Sequence, residues 1–164
     1  MSSTTENKEI ARAFMEECWN KGKMDVLREL MSDDCRYHDP AFPSLAAGAD
    51  NIKQHILTCR NGFPDLTFTI DDMIAERNEV VIHWTVQGTH KANFLGMPAT
   101  NRKATVSGTS ISRIEGHKIV ETWANWNLMS LMEQLGVNAT PQVKVPTHSK
   151  VKAKVSTHAK ARAK

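Results

Sequence analysis

The segment LTFTIDDMIAERNEVVIHWTVQ, residues 66–87, contains the pattern that decides the fold class. Apolar side chains occupy every second position over residues 66–70 and again over residues 80–86, which predicts strands with one buried face. Farther along the chain, two more such segments (105–114 and 118–126) meet at Glu115-Gly116-His117, which suits a tight hairpin. The centre of the chain therefore predicts a run of antiparallel strands.

The residues before this segment predict helices. Ser3-Thr4-Thr5-Glu6 resembles a capping box, and a first helical face follows it. A second, shorter helix is predicted to include Met31, and Asp50 is the predicted N-cap of a third. The apolar faces of the three helices are Ile10, Ala13, Phe14 and Cys18; Val26, Leu27, Leu30 and Met31; and Ile52, Ile56 and Leu57. A last helix, Leu128 to Leu135, is predicted to start at Asn127. Helices followed by antiparallel strands indicate an α+β fold with a cavity between its layers.

Composition limits the class of protein. An apolar content of 40% over 164 residues is typical of one soluble domain. No apolar run approaches the roughly 18 residues of a membrane span, and MSSTTENKEI lacks the pattern of a secretion signal. Cys18, Cys35 and Cys59 are odd in number and include no CxxC pair, so free thiols and a cytoplasmic location are predicted.

The charge is divided between a body and a tail. Residues 140–164 contain seven of the 21 Lys and Arg residues and none of the 18 acidic residues, so the preceding body is net negative. The tail repeats VPTHSKVKAK (145–154) as VSTHAKARAK (155–164), and its composition predicts disorder. We expect one domain over residues 1–139 and a basic tail over 140–164. A solubilising extension is favoured over contact with a polyanion, because the tail has no aromatic residues to stack on bases.

Residues 62–123, GFPDLTFTIDDMIAERNEVVIHWTVQGTHKANFLGMPATNRKATVSGTSISRIEGHKIVETW, followed by LMEQLG, carry a family resemblance. The most specific motifs are Phe63-Pro64-Asp65, Gly88-Thr89-His90, Gly96-Met97-Pro98 and the Ile-Val-Glu-x-Trp that ends at Trp123. Together they resemble the SnoaL-like polyketide cyclase (ester cyclase) family of the nuclear-transport-factor-2-like superfamily. The resemblance covers about residues 6–137.

This resemblance implies a cone-shaped α+β barrel, with a curved antiparallel sheet wrapped around N-terminal helices and one pocket. It also implies a homodimer or homotetramer that uses no metal or organic cofactor. In the family's cyclases an aspartate removes a C–H proton, the enolate attacks an internal carbonyl, and a histidine assists. The chemistry requires a carboxylate in a dry pocket, where burial raises its pKa.

Two positions of this chain depart from the family pattern. The family's acid falls at Ala124, and its histidine falls at Ser110. Strand parity predicts that Thr122, Ala124 and Trp126 face the pocket together, with Ser110 beside them on the partner strand. The predicted wall is small, weakly polar and aromatic, so it suits a flat organic ligand.

The remaining acid and base candidates are His38, Asp39 and His90. His38 and Asp39 precede Pro40 near the expected rim of the pocket, but neighbours on a strand point in opposite directions. His90 lies in GTHKANFLGMP, a loop that is rich in turn residues and suited to form a lid. His83 is a candidate for ligand contact, although a surface position is favoured for it. The histidine spacing matches no metal motif, so no metal site is predicted.

Two functions follow from these observations and stay open. The first is an enzyme that performs cofactor-free proton transfer (cyclisation, isomerisation or dehydration) on a small hydrophobic carbonyl compound, with His38, Asp39 or His90 replacing the missing acid. The second is a binding module that keeps the cavity without catalysis. A weaker third possibility is a protein-interaction module that uses the open face of the sheet.

Overall fold

The computed structural model describes residues 3–137. The predicted basic tail over residues 140–164, with its repeat, lies outside the described residues. The helices are α1 (Thr4–Ala13), which continues as a π-helical segment (Phe14–Asn20), α2 (Leu27–Leu30), α3 (Ala49–Gly62) and α4 (Leu128–Leu135). The strands are β1 (Met31–His38), β2 (Thr67–Glu76), β3 (Glu79–Thr89), β4 (Lys103–Glu115) and β5 (Lys118–Trp126).

The five strands form one curved sheet in the order β1-β5-β4-β3-β2. Strands β2 to β5 pair with antiparallel neighbours, as the alternation predicts. Strand β1 pairs with β5 in parallel, so the sheet is mixed, and it is open because β1 and β2 are its two edges. The α+β class and the cone-like arrangement are confirmed, with the difference that the sheet is neither wholly antiparallel nor closed into a barrel.

The sequence signals for helix ends are partly correct. The Ser3–Glu6 capping box is present, and Asn127 Oδ1 accepts the Ser130 N–H at 2.9 Å at the start of α4. Asp50 is not the cap, because the N-cap of α3 is Gly48, two residues earlier, at φ +113°. Met31 does not belong to α2, although the sequence predicted that it would. It is the first residue of β1 and is fully buried there, because an apolar side chain can pack in either element. No helix among residues 3–137 is long and apolar enough to span a membrane.

The inner face of the sheet packs against α1, the π-helical segment and α3. Strand β5 shows the alternation clearly, because Thr122 and Ala124 are buried while Asn125 is exposed. The π-helical segment is fixed to β2 by Asn20, whose side chain donates to the Phe68 carbonyl and accepts the Phe68 N–H at 2.9 and 2.7 Å. This contact positions the end of the first helical segment beside one end of the sheet, where the main cavity lies.

Candidate functional site

An apolar cavity lies between the sheet and the helices. Its empty volume is about 650 Å³, a figure that includes the open mouth. Aromatic rings form most of the wall. The residues that line it are Trp19, Tyr37, Asp39, Cys59, Phe63, Leu66, Phe68, Trp84, Val86, Gln87, Gly88, Phe94, Ala104, Val106, Ala124, Trp126 and Leu131. Such a wall favours a flat, mostly apolar ligand.

Three rings form the deep end of the wall in a contiguous series. The Phe68 ring lies 5.2 Å from Trp19 and 5.1 Å from Trp84, the latter edge to face. Trp84 reaches this position because Gly108 opposes it on β4: a Cβ at Gly108 would lie 2.5 Å from the Trp84 ring and 2.8 Å from the Asn125 carbonyl oxygen. The missing side chain of Gly108 therefore allows the indole to lie across the sheet.

Asp39 is the only carboxylate among the described residues that line the cavity. It follows β1 directly, and its Oδ1 atom accepts two hydrogen bonds, from the Ala41 N–H at 2.8 Å and the Trp126 Nε1–H at 3.3 Å. Its side chain is only 8% exposed. Burial raises the pKa of this carboxyl, and the hydrogen bonds from Ala41 and Trp126 only partly oppose that effect. Asp39 therefore holds its proton to a higher pH than an exposed aspartate does.

His55 lies beside Asp39 and is absent from the sequence-based candidates. It projects from α3 into a cluster of rings, 4.5 Å from Phe42, 5.3 Å from Tyr37 and 5.5 Å from Trp19 between centroids. A signal for it exists, because Ile52, His55, Ile56 and Cys59 have the i, i+3, i+4, i+7 spacing of one buried helix face. Neither ring nitrogen has a hydrogen-bond partner among the described residues.

His55 and Asp39 are close without forming an ion pair. His55 Nε2 lies 3.6 Å from Asp39 Oδ2, which is too long for a hydrogen bond. Burial lowers the pKa of His55 to about 4 and raises that of Asp39, so it disfavours the charged form of each. At neutral pH the imidazole is therefore neutral, and none of the described residues donates a hydrogen bond to Asp39 Oδ2.

Tyr37 and Cys59 complete the polar end of the cavity. Burial raises the pKa of the Tyr37 hydroxyl well above its usual value, with a smaller contribution from the charge of Asp39. Burial likewise raises the pKa of the Cys59 thiol, again with a contribution from Asp39. Both groups stay protonated at neutral pH. Tyr37 is thus suited to donate a hydrogen bond, whereas Cys59 is poorly suited to act as a thiolate nucleophile.

The structure brings together three of the residues predicted for the site: Asp39, Ala124 and Trp126 all line the cavity. Ser110 and Thr122 are buried on the same face, as parity predicts, but they lie deeper. They line a second, smaller cavity with an empty volume of about 300 Å³ behind Trp19, Tyr37, Phe68 and Trp84. Contact of Ser110 or Thr122 with a ligand in the main cavity is therefore not supported by their position.

His38 and His83 lie outside the cavity. His38 is half exposed on the outer face of the sheet, stacked on Trp123 at 5.6 Å, and its Nε2 lies 2.9 Å from Glu121 Oε1. The alternation that turns Asp39 inward turns His38 outward. The His83 side chain is 55% exposed, near Asp71 on the same outer face. His38 therefore does not reach the pocket, and His83 has the surface position that the sequence analysis favoured over ligand contact.

His90 is fully buried but does not line the cavity. Its Nδ1 accepts the Thr100 N–H at 3.3 Å and lies 3.1 Å from Thr100 Oγ1, and its ring stacks on Phe63 at 5.2 Å. His90 therefore supports the wall from behind. In the loop that follows, Phe94 lines the cavity and packs against Phe42 and Phe63, so the predicted lid segment supplies a ring rather than a histidine.

Within residues 3–137, no three His, Cys, Asp or Glu side chains are grouped so as to hold a metal ion. The polar groups at the cavity (Asp39, Tyr37 and the neighbouring His55) instead form an acid–base cluster. A buried carboxylate, a protonated phenol and a neutral imidazole in an apolar setting suit proton transfer.

Comparison with known proteins identifies the family of this chain. The model of the SnoaL-like polyketide cyclase family matches residues 9–135, which is most of the chain. The chain belongs to the SnoaL-like polyketide cyclase family. Its fold matches TsrD from Streptomyces laurentii at a TM-score of 0.75 and 23% identity, over 84% of this chain and 99% of that one. No curated protein sequence gives a significant match.

Two further solved structures show the breadth of names attached to the SnoaL-like fold. A candidate polyketide cyclase from Acidithiobacillus ferrooxidans has 27% identity over 83% of this chain and 98% of its own, with a TM-score of 0.71. AclR from Streptomyces galilaeus, a candidate hydroxylase, has 23% identity over 82% of this chain and 98% of its own, with a TM-score of 0.70. Fold likeness to AclR and TsrD concerns architecture alone, so the reaction must be argued from the site.

Proposed function

We propose that this SnoaL-like protein is an enzyme that transfers protons, without a cofactor, on a small hydrophobic carbonyl compound, and that Asp39 is its general base. The observation that carries the proposal is a carboxylate, 8% exposed, in an otherwise apolar aromatic cavity. In such a place burial raises the pKa of the base toward that of an activated C–H group.

The proposed reaction begins when Asp39 removes a proton from the carbon beside the substrate's carbonyl. The electron pair of the broken C–H bond becomes an enolate, whose oxygen accepts a hydrogen bond from the Tyr37 hydroxyl. In a cyclisation the enolate carbon then bonds to a second carbonyl carbon of the same molecule. In an isomerisation it is reprotonated elsewhere, and in a dehydration it expels a hydroxyl group as water. The protonated Asp39 returns the proton in each case.

The pairing of β1 with β5 explains how Asp39 can replace the missing acid. The pairs Tyr37–Thr122 and His38–Trp123 place the residue after β1, Asp39, next to Ala124. Both residues line the same cavity. A carboxylate at the end of β1 therefore reaches the region that the family resemblance assigns to an acid on β5. In this proposal the base is the residue that follows β1, instead of a residue of β5.

A non-catalytic binding module is the alternative, and Ala124 with Ser110 favours it. The two residues pair across β4 and β5 and carry neither the acid nor the histidine that the resemblance places there. This alternative uses the same cavity and the same class of ligand. It differs only in assigning Asp39 a role in recognition, as a hydrogen-bond acceptor.

Hydrogen–deuterium exchange separates the two functions without knowledge of the natural substrate. A flat enolisable ketone, 1-tetralone, is incubated with the protein in D₂O, and exchange beside the carbonyl is followed by NMR. Binding is followed in parallel by quenching of the cavity tryptophans. The enzyme proposal predicts exchange above the rate in buffer with saturation by ketone. Quenching with no added exchange would support the binding module.

The outer face of the sheet supports a homo-oligomer. Ile74, Val81, Ile111 and Trp123 pair in register across four strands and form one apolar row. Ile74 is 61% exposed, and the other three are partly exposed. A charged row flanks them, with Arg113 between acidic neighbours on β3 and β5. We propose that this row packs against a second copy of the chain.

Replacing Ile111 by glutamate should dissociate that assembly, because an unpaired charge would be buried at its centre. Light scattering after gel filtration should show the wild type as a dimer or larger and Ile111→Glu as a monomer. Thr105→Glu is the matched control, since Thr105 is exposed on the same strand about 20 Å away. A monomeric wild type at all concentrations would contradict the proposal.

The proposed location is the cytoplasm. Cys18, Cys35 and Cys59 are all buried and unpaired in the structure. Free thiols persist in reducing compartments, where disulfides are rare.

A further inference from the structure

The two oxygens of the Asp39 carboxylate have different surroundings. Oδ1 accepts both the Ala41 N–H and the Trp126 Nε1–H, at 2.8 and 3.3 Å. His55 Nε2 lies near Oδ2, at 3.6 Å. A carboxylate oxygen offers about two lone-pair sites, so the two donors occupy Oδ1, and within residues 3–137 Oδ2 accepts no hydrogen bond.

We propose that Trp126 is a positioning residue that fixes the Asp39 carboxylate through Oδ1 and thereby makes Oδ2 the atom that accepts the substrate proton. This inference rests on the proposed function of Asp39. The indole N–H suits the role because it is a donor only, so it orients the carboxylate without competing for the transferred proton.

The position of Trp126 in the fold holds its indole N–H in place beside Asp39 Oδ1. It is the last residue of β5, on the same face as Thr122 and Ala124, and its ring is part of the cavity wall. The next residue, Asn127, caps α4 through the Ser130 N–H, which fixes the backbone on the other side of Trp126. The second donor, the Ala41 N–H, belongs to the turn that follows β1. The carboxylate is thus held by two independent elements.

The groups that face Asp39 come from three elements, and their charges matter for a test by titration. Tyr37 on β1 and Cys59 on α3 stay protonated, and His55 on α3 is neutral at neutral pH. Trp126 on β5 carries no charge. Loss of the indole N–H is therefore the main electrostatic change near Asp39 when Trp126 is replaced by phenylalanine.

Trp126→Phe is the decisive variant, because it keeps an aromatic ring in the wall and removes the N–H. The hydrogen bond stabilises the ionised carboxylate, so its loss should raise the titration midpoint of Asp39, measured by NMR of the ¹³C-labelled carboxyl. The pH at which 1-tetralone exchange is half-maximal should rise with it. Above both midpoints the exchange rate should fall by on the order of 10-fold, because the carboxylate is less well oriented. Binding of the ketone should change less than the rate.

Trp123→Phe is the matched control, since Trp123 lies on the same strand but faces outward against His38. It should leave the Asp39 midpoint unchanged. A shift in Trp126→Phe but not in Trp123→Phe supports the positioning role, and equal midpoints in both variants and the wild type would overturn it. The titration requires no turnover. If Asp39→Asn leaves exchange unchanged, the proposed function fails, whereas the carboxyl midpoint still reports whether the contact with Trp126 exists.

Discussion

Asp39→Asn should reduce ketone exchange by roughly 10²- to 10⁴-fold, the usual loss when a positioned general base is removed. Asparagine has nearly the same shape and can still accept the Ala41 N–H through its amide oxygen, so the cavity should keep its form. Its amide cannot accept the proton. The measurement is the rate of deuterium incorporation into 1-tetralone at a pH where Asp39 is ionised, with tryptophan quenching to confirm that the ketone still binds.

The control for this variant is Asp72→Asn, the same chemical change at an exposed position of β2. It should leave the exchange rate unchanged. A stronger test adds Ala124→Asp to the Asp39→Asn chain. Because position 124 lies beside position 39 across the β1–β5 pairing, a carboxylate there should restore part of the lost rate. Full exchange in Asp39→Asn would contradict the assignment of the base.

When the pH is lowered, the free energy of unfolding of His55→Phe should fall much less than that of the wild type. Burial lowers the pKa of His55 from 6.5 to about 4, so the unfolded chain binds this proton more readily than the folded one. The stability that the neutral imidazole contributes is complete above pH 6.5 and is lost as the pH falls toward about 4. For a shift of this size the loss is on the order of 3 kcal/mol.

The measurement for His55 is the free energy of unfolding by urea at pH 7 and at pH 4.5 in each variant. The change between the two pH values is compared within a variant, so the cost of fitting a phenylalanine among Trp19, Tyr37 and Phe42 cancels. Asp39 contributes with the opposite sign, because its raised pKa favours the folded state at low pH, and it does so in both chains. An equally large change in His55→Phe would show that another group is responsible.

Local periodicity predicted the parts of the structure that depend on neighbouring residues. The alternation in β5 correctly predicted that Ala124 and Trp126 face inward. The alternation at the end of β1 correctly predicted that Asp39 and His38 point in opposite directions. The prediction of Asn127 as the N-cap of α4 was also correct, because capping depends only on residues next to it in the sequence. The prediction of Asp50 as the cap was wrong because Gly48, with a positive φ, caps α3 two residues earlier.

The acid–base cluster could not be assembled from the sequence because its members meet through distant contacts. Asp39 and Trp126 are 87 positions apart and come together only because β1 pairs in parallel with β5. His55 was on a recognisable buried face of α3, but its nearness to Asp39 depends on how that helix packs. His90 has no local feature that distinguishes a ring stacked behind Phe63 from one that faces the cavity.

The pH dependence of exchange, measured beside the titration of the Asp39 carboxyl in the wild type, tests the central claim most directly. If Asp39 is the base, exchange rises with pH as the carboxylate ionises. Its midpoint should then coincide with the NMR midpoint, and both should lie above the ordinary aspartate value of 3.8. An exchange rate that stays constant across the pH interval in which Asp39 titrates would contradict the account.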